Sequence, residues 1–318
     1  MVGKEVETES DKMRPAVTLP LVLVTAMSAV TLAQDARPMF SASVDRVTLS
    51  VTVRTDRGRP VTNLTAPDFL LSSSGRGQTI TNFQRDSTPV SLGFLVDFSG
   101  SMDVGARRAA ARENVQHMLS LLAPGVDRAG LFVFDKVLKE LQPVAPAPGA
   151  ILAHLDEVRR PFGVTSLFDA IAETGRTLAE GSGTRRAVVA LTDGADNASS
   201  LTAGEVSGIA SSIDVPVYIV VVVSPYDRDG KKPHPSLNVD ELVNGHLGNL
   251  ARWTGGDIYV SLGPEQAART AREIVTELRQ QYLIAFEPDT RPGWHPIELR
   301  TRRDNLVVRT RSGYYVRD

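Results

Sequence analysis

The sequence predicts an α/β fold: a doubly wound, mostly parallel sheet inserted between two shorter β segments. From about residue 90 to 281, apolar runs alternate with amphipathic segments, the pattern of strands and helices in a doubly wound sheet. The flanking segments, 44–88 and 282–318, contain short runs with the alternation of half-buried strands. Each flank has only about 40 residues, too few for a core of its own. We therefore expect the two flanks to pair into one small β-sandwich.

The composition is that of a soluble, globular protein. Of 318 residues, 42% are hydrophobic and 23% are charged, which is enough apolar material for a sizeable core. A formal net charge of −2 argues against a nucleic-acid binder held by bulk electrostatics. The chain has no cysteine, which excludes disulfides, thiolate catalysis and zinc-thiolate sites, and its five histidines show no metal-ligand spacing.

Residues 1–33 have the pattern of an export signal. The uncharged segment 16–33 follows Arg14 and ends at Ala33 in a small-x-small cleavage site. The polar, mostly acidic leader before it is atypical, and a start at Met13 instead of the first residue restores the usual basic-then-apolar order. The alternative is an uncleaved anchor, because 18 uncharged residues are near the lower limit for spanning a membrane. Both interpretations place the rest of the chain outside the cytoplasm, either secreted or periplasmic, with membrane contact only through this segment.

Six apolar runs in the central region predict its strands, and amphipathic segments between them predict helices. The third run begins only a few residues after the second, too close for a parallel crossover, so we expect an antiparallel hairpin there. The predicted strands are 90–98, 129–135, 137–144, 185–194, 215–223 and 257–262. The predicted helices include 111–122, 150–158, 167–178, 203–213, one that ends near 253–256, and a closing helix from about 264 to 281.

Three polar clusters follow strand ends or begin helices in this region. Asp97, Ser99 and Ser101 stand at alternate positions after the first central strand, Thr165 lies in GVTSLFDAI, and Asp193 lies in LTDGADN. Each cluster alone fits a helix cap or a turn. Ligands of doubly wound sheets, however, bind beyond the carboxyl ends of the strands. The three clusters together therefore predict a functional site at that edge.

The oxygen atoms of these residues suit a hard divalent cation. Magnesium prefers near-octahedral oxygen ligands and keeps some of its waters. The hydroxyls of Ser99, Ser101 and Thr165 can bind it directly, while Asp97 and Asp193 can bind it directly or through water. If both carboxylates bind through water, the ion keeps most of its positive charge and a position for an acidic oxygen from a partner.

The motif Asp97-x-Ser99-x-Ser101, with Thr165 and Asp193, resembles the metal-ion-dependent adhesion site of von Willebrand factor type A domains. The element order over about 90–281 resembles that family as well, and the signal and β-rich flanks look like bacterial von Willebrand factor A-related proteins. The resemblance implies a magnesium or manganese ion whose shell is completed by a ligand carboxylate. With the export pattern, it predicts an extracytoplasmic adhesion module that binds a protein or peptide with an exposed Asp or Glu, and we expect no enzyme.

Two other functions remain as alternatives: a structural or assembly component with a rigidifying metal, and a metal-assisted hydrolase. Two-metal hydrolases need several direct carboxylates and usually histidines, whereas this motif is rich in neutral hydroxyls. The sequence also shows no evident activated general base and no glycine-rich phosphate loop of the usual spacing. Asp196 is a further acidic residue near the motif, in a place to bind the ion through water, although the family pattern does not require it. The segment 227–235 is interpreted as a surface loop.

Overall fold

The computed structural model describes residues 46–316 apart from 86–87, 147, 159–162, 182, 184 and 224–238. Everything described below lies within the unit 42–318. The predicted export signal and the predicted loop 227–235 lie outside the described residues. Within the described part, no helix is both long and apolar enough to cross a membrane.

Strands at both ends of the described chain flank a region in which strands and helices alternate, as the sequence predicts. The strands are β1 (Val47–Thr55), β2 (Phe69–Ser73), β3 (Arg76–Gly77), β4 (Ile80–Arg85), β5 (Ser91–Asp97), β6 (Arg128–Phe134), β7 (Leu138–Ala145), β8 (Arg186–Thr192), β9 (Val217–Val222), β10 (Ile258–Ser261), β11 (Tyr282–Phe286), β12 (Gly293–Thr301), β13 (Leu306–Arg309) and β14 (Gly313–Val316). The α-helices are α1 (Arg107–Leu121), α2 (Ile151–Glu157), α3 (Leu167–Ala179), α4 (Ala203–Ser212), α5 (Val239–Asn244), α6 (His246–Trp253) and α7 (Pro264–Arg279).

The central sheet has the strand order β10-β9-β8-β5-β6-β7. Its strands pair in parallel except β7, which pairs antiparallel with β6 at the edge. The α/β fold class and the hairpin are therefore confirmed. The strand β5 lies in the middle of the sheet, between β6 and β8, so its carboxyl end opens at the centre of the edge.

Helices cover both faces of this sheet, which explains the continuous apolar runs. Phe94 and Val96 of β5 join a core shared with α1 and α7, while Leu95 faces the opposite core with α3, α4 and α6. Alternate strand residues point to opposite faces, so a strand buried on both sides needs apolar residues throughout. All seven residues of β5 are buried, and the first polar residue at its end is Asp97.

Two antiparallel sheets, β13-β1-β11-β4 and β14-β12-β2-β3, lie outside the central sheet. In the first, β1 pairs with both β11 and β13, and in the second β2 pairs with β12. Each sheet therefore combines strands from both flanks. A third apolar core includes Val51, Leu71, Ile284 and Tyr314, residues from both sheets. The domain boundaries 1–33, 44–88, 90–281 and 282–318 remain a prediction.

Asp127 joins three elements at the end of the central sheet opposite the polar clusters. Its buried carboxylate accepts hydrogen bonds from the Val90 amide (2.9 Å), the Ala123 amide (2.7 Å) and Nη2 of Arg279 (2.6 Å). Burial by itself would raise the pKa of Asp127. The two amide hydrogen bonds and the Arg279 guanidinium outweigh it and hold that pKa below the usual value.

Replacing Asp127 by asparagine is expected to lower the free energy of unfolding by about 2 kcal/mol at pH 7. A lowered folded pKa contributes stability that is full above the unfolded pKa of about 3.9 and is lost as pH falls through the folded value. Urea unfolding from pH 7 to 3 should therefore show the difference between the two proteins shrinking below about pH 5. The control is Asp156→Asn, which removes an exposed ion pair with Arg112 and should stay near wild type. A difference that is constant with pH would contradict the assignment.

Candidate metal-binding site

Asp97 and the two serines after it form a connected set of oxygen atoms at the carboxyl end of β5. The carboxylate of Asp97 is fully buried. Its Oδ1 accepts from the Ser99 amide (2.8 Å) and its Oδ2 accepts from the hydroxyl of Thr192 (2.7 Å). The hydroxyl oxygens of Ser99 and Ser101 lie 3.0 Å apart in a hydrogen bond. The Asp-x-Ser-x-Ser spacing thus brings one carboxylate and two hydroxyls together.

The electrostatics of Asp97 favour a cation nearby. Burial raises the pKa of Asp97 to about 6, with a small contribution from the charge of Asp193 and against the hydrogen bonds from Thr192 and Ser99. A buried acid whose ionisation is opposed in this way gains from a neighbouring positive charge. The carboxylate and hydroxyl oxygens of this set therefore fit a hard metal ion.

Neither Ser99 nor Ser166 caps the helix that follows it. Ser99 precedes the helical turn 100–106 and Ser166 precedes α3, yet neither side chain makes a capping hydrogen bond. The cap of α3 is supplied from the loop after β8. Asp196 Oδ1 accepts from the Leu167 amide (3.1 Å) and from the Ser199 hydroxyl (2.8 Å), and that hydroxyl accepts from the Phe168 amide (3.0 Å). Asp196 thus has a structural role that its place near the motif does not reveal.

Asp193 follows β8 and is tied to the first cluster by two residues that sequence reasoning missed. Its Oδ2 accepts from Nη1 of Arg107 (3.0 Å), and the same nitrogen donates to the carbonyl oxygen of Ser101 (2.8 Å). The hydroxyl of Thr192, which donates to Asp97, also accepts from the Gly194 amide (3.0 Å). Asp97, Ser99, Ser101 and Asp193 therefore belong to one hydrogen-bonded network.

Gly194 shows why the Asp-Gly pair is needed here. Its φ of +91° lies in the left-handed region that favours glycine. A Cβ at this position would also come within 2.7 Å of the Leu242 side chain. The glycine lets the chain turn directly after Asp193, so the carboxylate stays at the sheet edge.

Thr165 reaches the same edge through backbone contacts. Its amide donates to Oδ1 of Asn197 (2.8 Å), and its carbonyl oxygen accepts from the amides of Asn197 and Ala198 (3.0 Å each). The next residue, Ser166, donates its amide to the carbonyl of Asp135, directly after β6 (2.9 Å). The buried Thr165 is thus held between the strand ends of β6 and β8, on either side of β5.

A metal ion at this edge would be bound by hydroxyl groups and two carboxylates. Among the residues that the structure describes, no group of three or more His, Cys, Asp or Glu side chains could hold a metal. Arg107 and Thr192 escaped the sequence analysis because their partners are distant in the chain. The one available signal was a pair of arginines at the start of α1, where the helix dipole disfavours cations.

Residues 92–195 match the family model of the von Willebrand factor type A domain, and this range includes all five predicted ligands.

No curated protein matches the chain. Among solved structures, an aerotolerance-related membrane protein from Bacteroides fragilis is 18% identical, with 60% of this chain and 99% of that chain covered and a TM-score of 0.47. A von Willebrand factor type A protein from Catenulispora acidiphila is 12% identical (78% and 73% covered, TM-score 0.47). The D319A mutant of the PilB minor pilin from Streptococcus sanguinis is 12% identical (76% and 80% covered, TM-score 0.46). Residues 92–195 of this chain are therefore similar to a von Willebrand factor type A domain.

Proposed function

We propose that this protein is an extracytoplasmic adhesion or binding module that grips an acidic residue of a partner through a bound Mg²⁺ or Mn²⁺. Asp97, Ser99, Ser101, Thr165 and Asp193 would hold the ion. The observation that carries the proposal is the contact of the Ser99 and Ser101 hydroxyls beside the buried carboxylate of Asp97. When bound, the ion supplies a concentrated positive charge with a position open to a carboxylate oxygen. The extracytoplasmic location rests on the export pattern of residues 1–33.

The hydrogen bonds of the two acids favour hydroxyls as direct ligands and carboxylates that act through water. Both oxygens of Asp97 already accept a hydrogen bond, from Ser99 and Thr192. Both oxygens of Asp193 do so as well, from Arg107 and from the Ala195 amide at 3.3 Å. Neutral direct ligands leave more of the ion's charge for an anionic partner. The same donor set argues against metal-assisted hydrolysis, which uses several direct carboxylates and usually histidines.

Exposed apolar side chains beside the site suit a protein partner. Val104, three residues after Ser101, is 41% exposed, and Val164, directly before Thr165, is 44% exposed. A polar site beside apolar residues is the usual composition of a protein-binding surface. We expect the partner to present its Asp or Glu next to apolar residues, as a protein or a peptide can.

Titration calorimetry of the full chain with Mg²⁺ and Mn²⁺ tests the proposal, with one saturable site expected. Bound Mn²⁺ should keep exchangeable water and enhance water-proton relaxation. A peptide with one glutamate among apolar residues should reduce this enhancement by displacing water, and the matched peptide with glutamine should not. Absence of saturable binding of both ions would overturn the proposal, as would equal effects of the two peptides.

A further inference from the structure

Arg107 is a fully buried cation that contacts two of the proposed ligand residues. Its Nη1 lies 2.8 Å from the Ser101 carbonyl oxygen and 3.0 Å from Oδ2 of Asp193. Its side chain is 0% exposed, and that of Asp193 is 5% exposed. A buried charge is costly unless it is paired, so each of these two groups depends on the other.

The neighbouring Arg108 shows that this placement is specific to one of the two arginines. Arg108 is partly exposed, pairs with Asp103 at 2.8 Å and lies over the ring of Phe98, 4.5 Å from its centre. Those contacts are typical of a surface arginine. The interior position therefore belongs to Arg107 alone of this pair.

Two local features oppose the position of Arg107 and indicate that its contacts hold it there. It is the first residue of α1, where the helix dipole disfavours a cation. The residue before it, Ala106, has a φ of +65°, in the left-handed region that side chains other than glycine's rarely adopt. Both costs must be offset by the pairing with Asp193 and the hydrogen bond to Ser101.

We propose that Arg107 is a resident cation of the metal site, which neutralises Asp193 in the metal-free protein and lowers the affinity of the site for a divalent ion. The second part rests on the proposed function. A fixed positive charge on the same carboxylate repels a divalent cation, and it removes part of the negative charge that would attract one. An incoming partner carboxylate compensates this excess positive charge. Metal and acidic partner should therefore each increase the affinity of the protein for the other.

The first test needs no metal. In EDTA, Arg107→Met is expected to lower the melting temperature by roughly 5 °C or more, because Asp193 loses its buried partner. The effects of Arg107→Met and Asp193→Asn should be strongly non-additive in the double variant. The control is Arg112→Met on the same helix, which removes an exposed pair with Asp156 and should change the melting temperature little. Additive effects, or a melting temperature unchanged in Arg107→Met, would overturn the inference.

The second test is calorimetry with Mn²⁺. Arg107→Met should bind Mn²⁺ about tenfold more tightly than wild type, the effect of one nearby unit charge that is largely screened. Arg107→Lys keeps the charge and should stay near the wild-type affinity even though its metal-free melting temperature falls. If Arg107→Met does not fold in EDTA, Mn²⁺ should restore its folding. Three outcomes would overturn the inference. The first is that folded Arg107→Met binds Mn²⁺ no more tightly than wild type, and the second is that Mn²⁺ fails to restore the folding of an unfolded Arg107→Met. The third outcome is that Arg107→Lys binds Mn²⁺ more tightly than wild type.

The two proposals fail in different ways. If wild type binds neither metal, the proposed function is wrong, and so is the proposed effect of Arg107 on metal affinity. Non-additive effects of Arg107→Met and Asp193→Asn in EDTA would still support the pairing of Arg107 with Asp193. If wild type binds Mn²⁺ and Arg107→Met binds it no more tightly, only the inference about Arg107 is wrong.

Discussion

Replacing Asp97 by alanine is expected to reduce the affinity for Mg²⁺ and Mn²⁺ by at least about 100-fold while the protein remains folded. Asp97 links the two halves of the site, because one oxygen receives the Ser99 amide and the other receives the hydroxyl of Thr192. Its removal deletes one of two acids and releases the loop that carries the serines. The loss of two hydrogen bonds should cost about 2 kcal/mol of stability, partly offset because burial opposes the ionisation of this carboxyl. Calorimetry measures the affinity, and circular dichroism monitors the fold.

The matched control is Asp196→Ala, which removes an acid three residues from Asp193. Asp196 accepts from the Leu167 amide and the Ser199 hydroxyl, so its loss should cost about 1 kcal/mol of stability through the cap of α3. Metal affinity should stay near that of wild type. Wild-type affinity in Asp97→Ala, or loss of binding in Asp196→Ala, would show that the ion binds elsewhere. A partner that still binds after EDTA treatment would favour a structural role for the metal.

Replacing Glu277 by glutamine is expected to lower the free energy of unfolding by about 3 kcal/mol. This residue of α7 is buried and accepts hydrogen bonds from the Thr52 hydroxyl (3.2 Å) and the Tyr218 hydroxyl (3.0 Å). It also forms ion pairs with Arg54 and Arg309. Glutamine keeps the shape but removes the charge, and two largely buried guanidinium groups then lose a shared carboxylate.

The position of Glu277 makes this a test of how the central sheet joins the flanking strands. Thr52 lies on β1, Arg309 lies on β13, and Tyr218 lies on β9 of the central sheet. Burial raises the pKa of Tyr218, so its hydroxyl remains a neutral donor. Urea unfolding measures the effect, with Glu265→Gln on the same helix as control, because that side chain is exposed and pairs only loosely with Arg269. Equal stability of the two variants would contradict the role assigned to Glu277.

The sequence alone predicts the α/β fold and most of its elements, because buried strands and helices have characteristic apolar patterns among neighbouring residues. The run that becomes β5 is apolar throughout since both of its faces are covered. The short spacing between β6 and β7 allows only a hairpin, and the structure has one. The five predicted ligand residues were also selected from local patterns, because polar side chains at the ends of buried strands and at a helix start are conspicuous.

Other roles were decided by tertiary structure, since each depends on a partner far along the chain. Arg107 lies 86 residues from Asp193, Asp196 lies 29 residues from the helix start that it caps, and Glu277 lies 225 residues from Thr52. In the sequence, Arg107 does not differ from the partly exposed Arg108 beside it. The sequence by itself determined the strands, the helices and the polar residues at their ends, because hydrophobic periodicity is a property of neighbouring residues. Only the tertiary structure decided which charges are buried together, because that depends on the packing of distant elements.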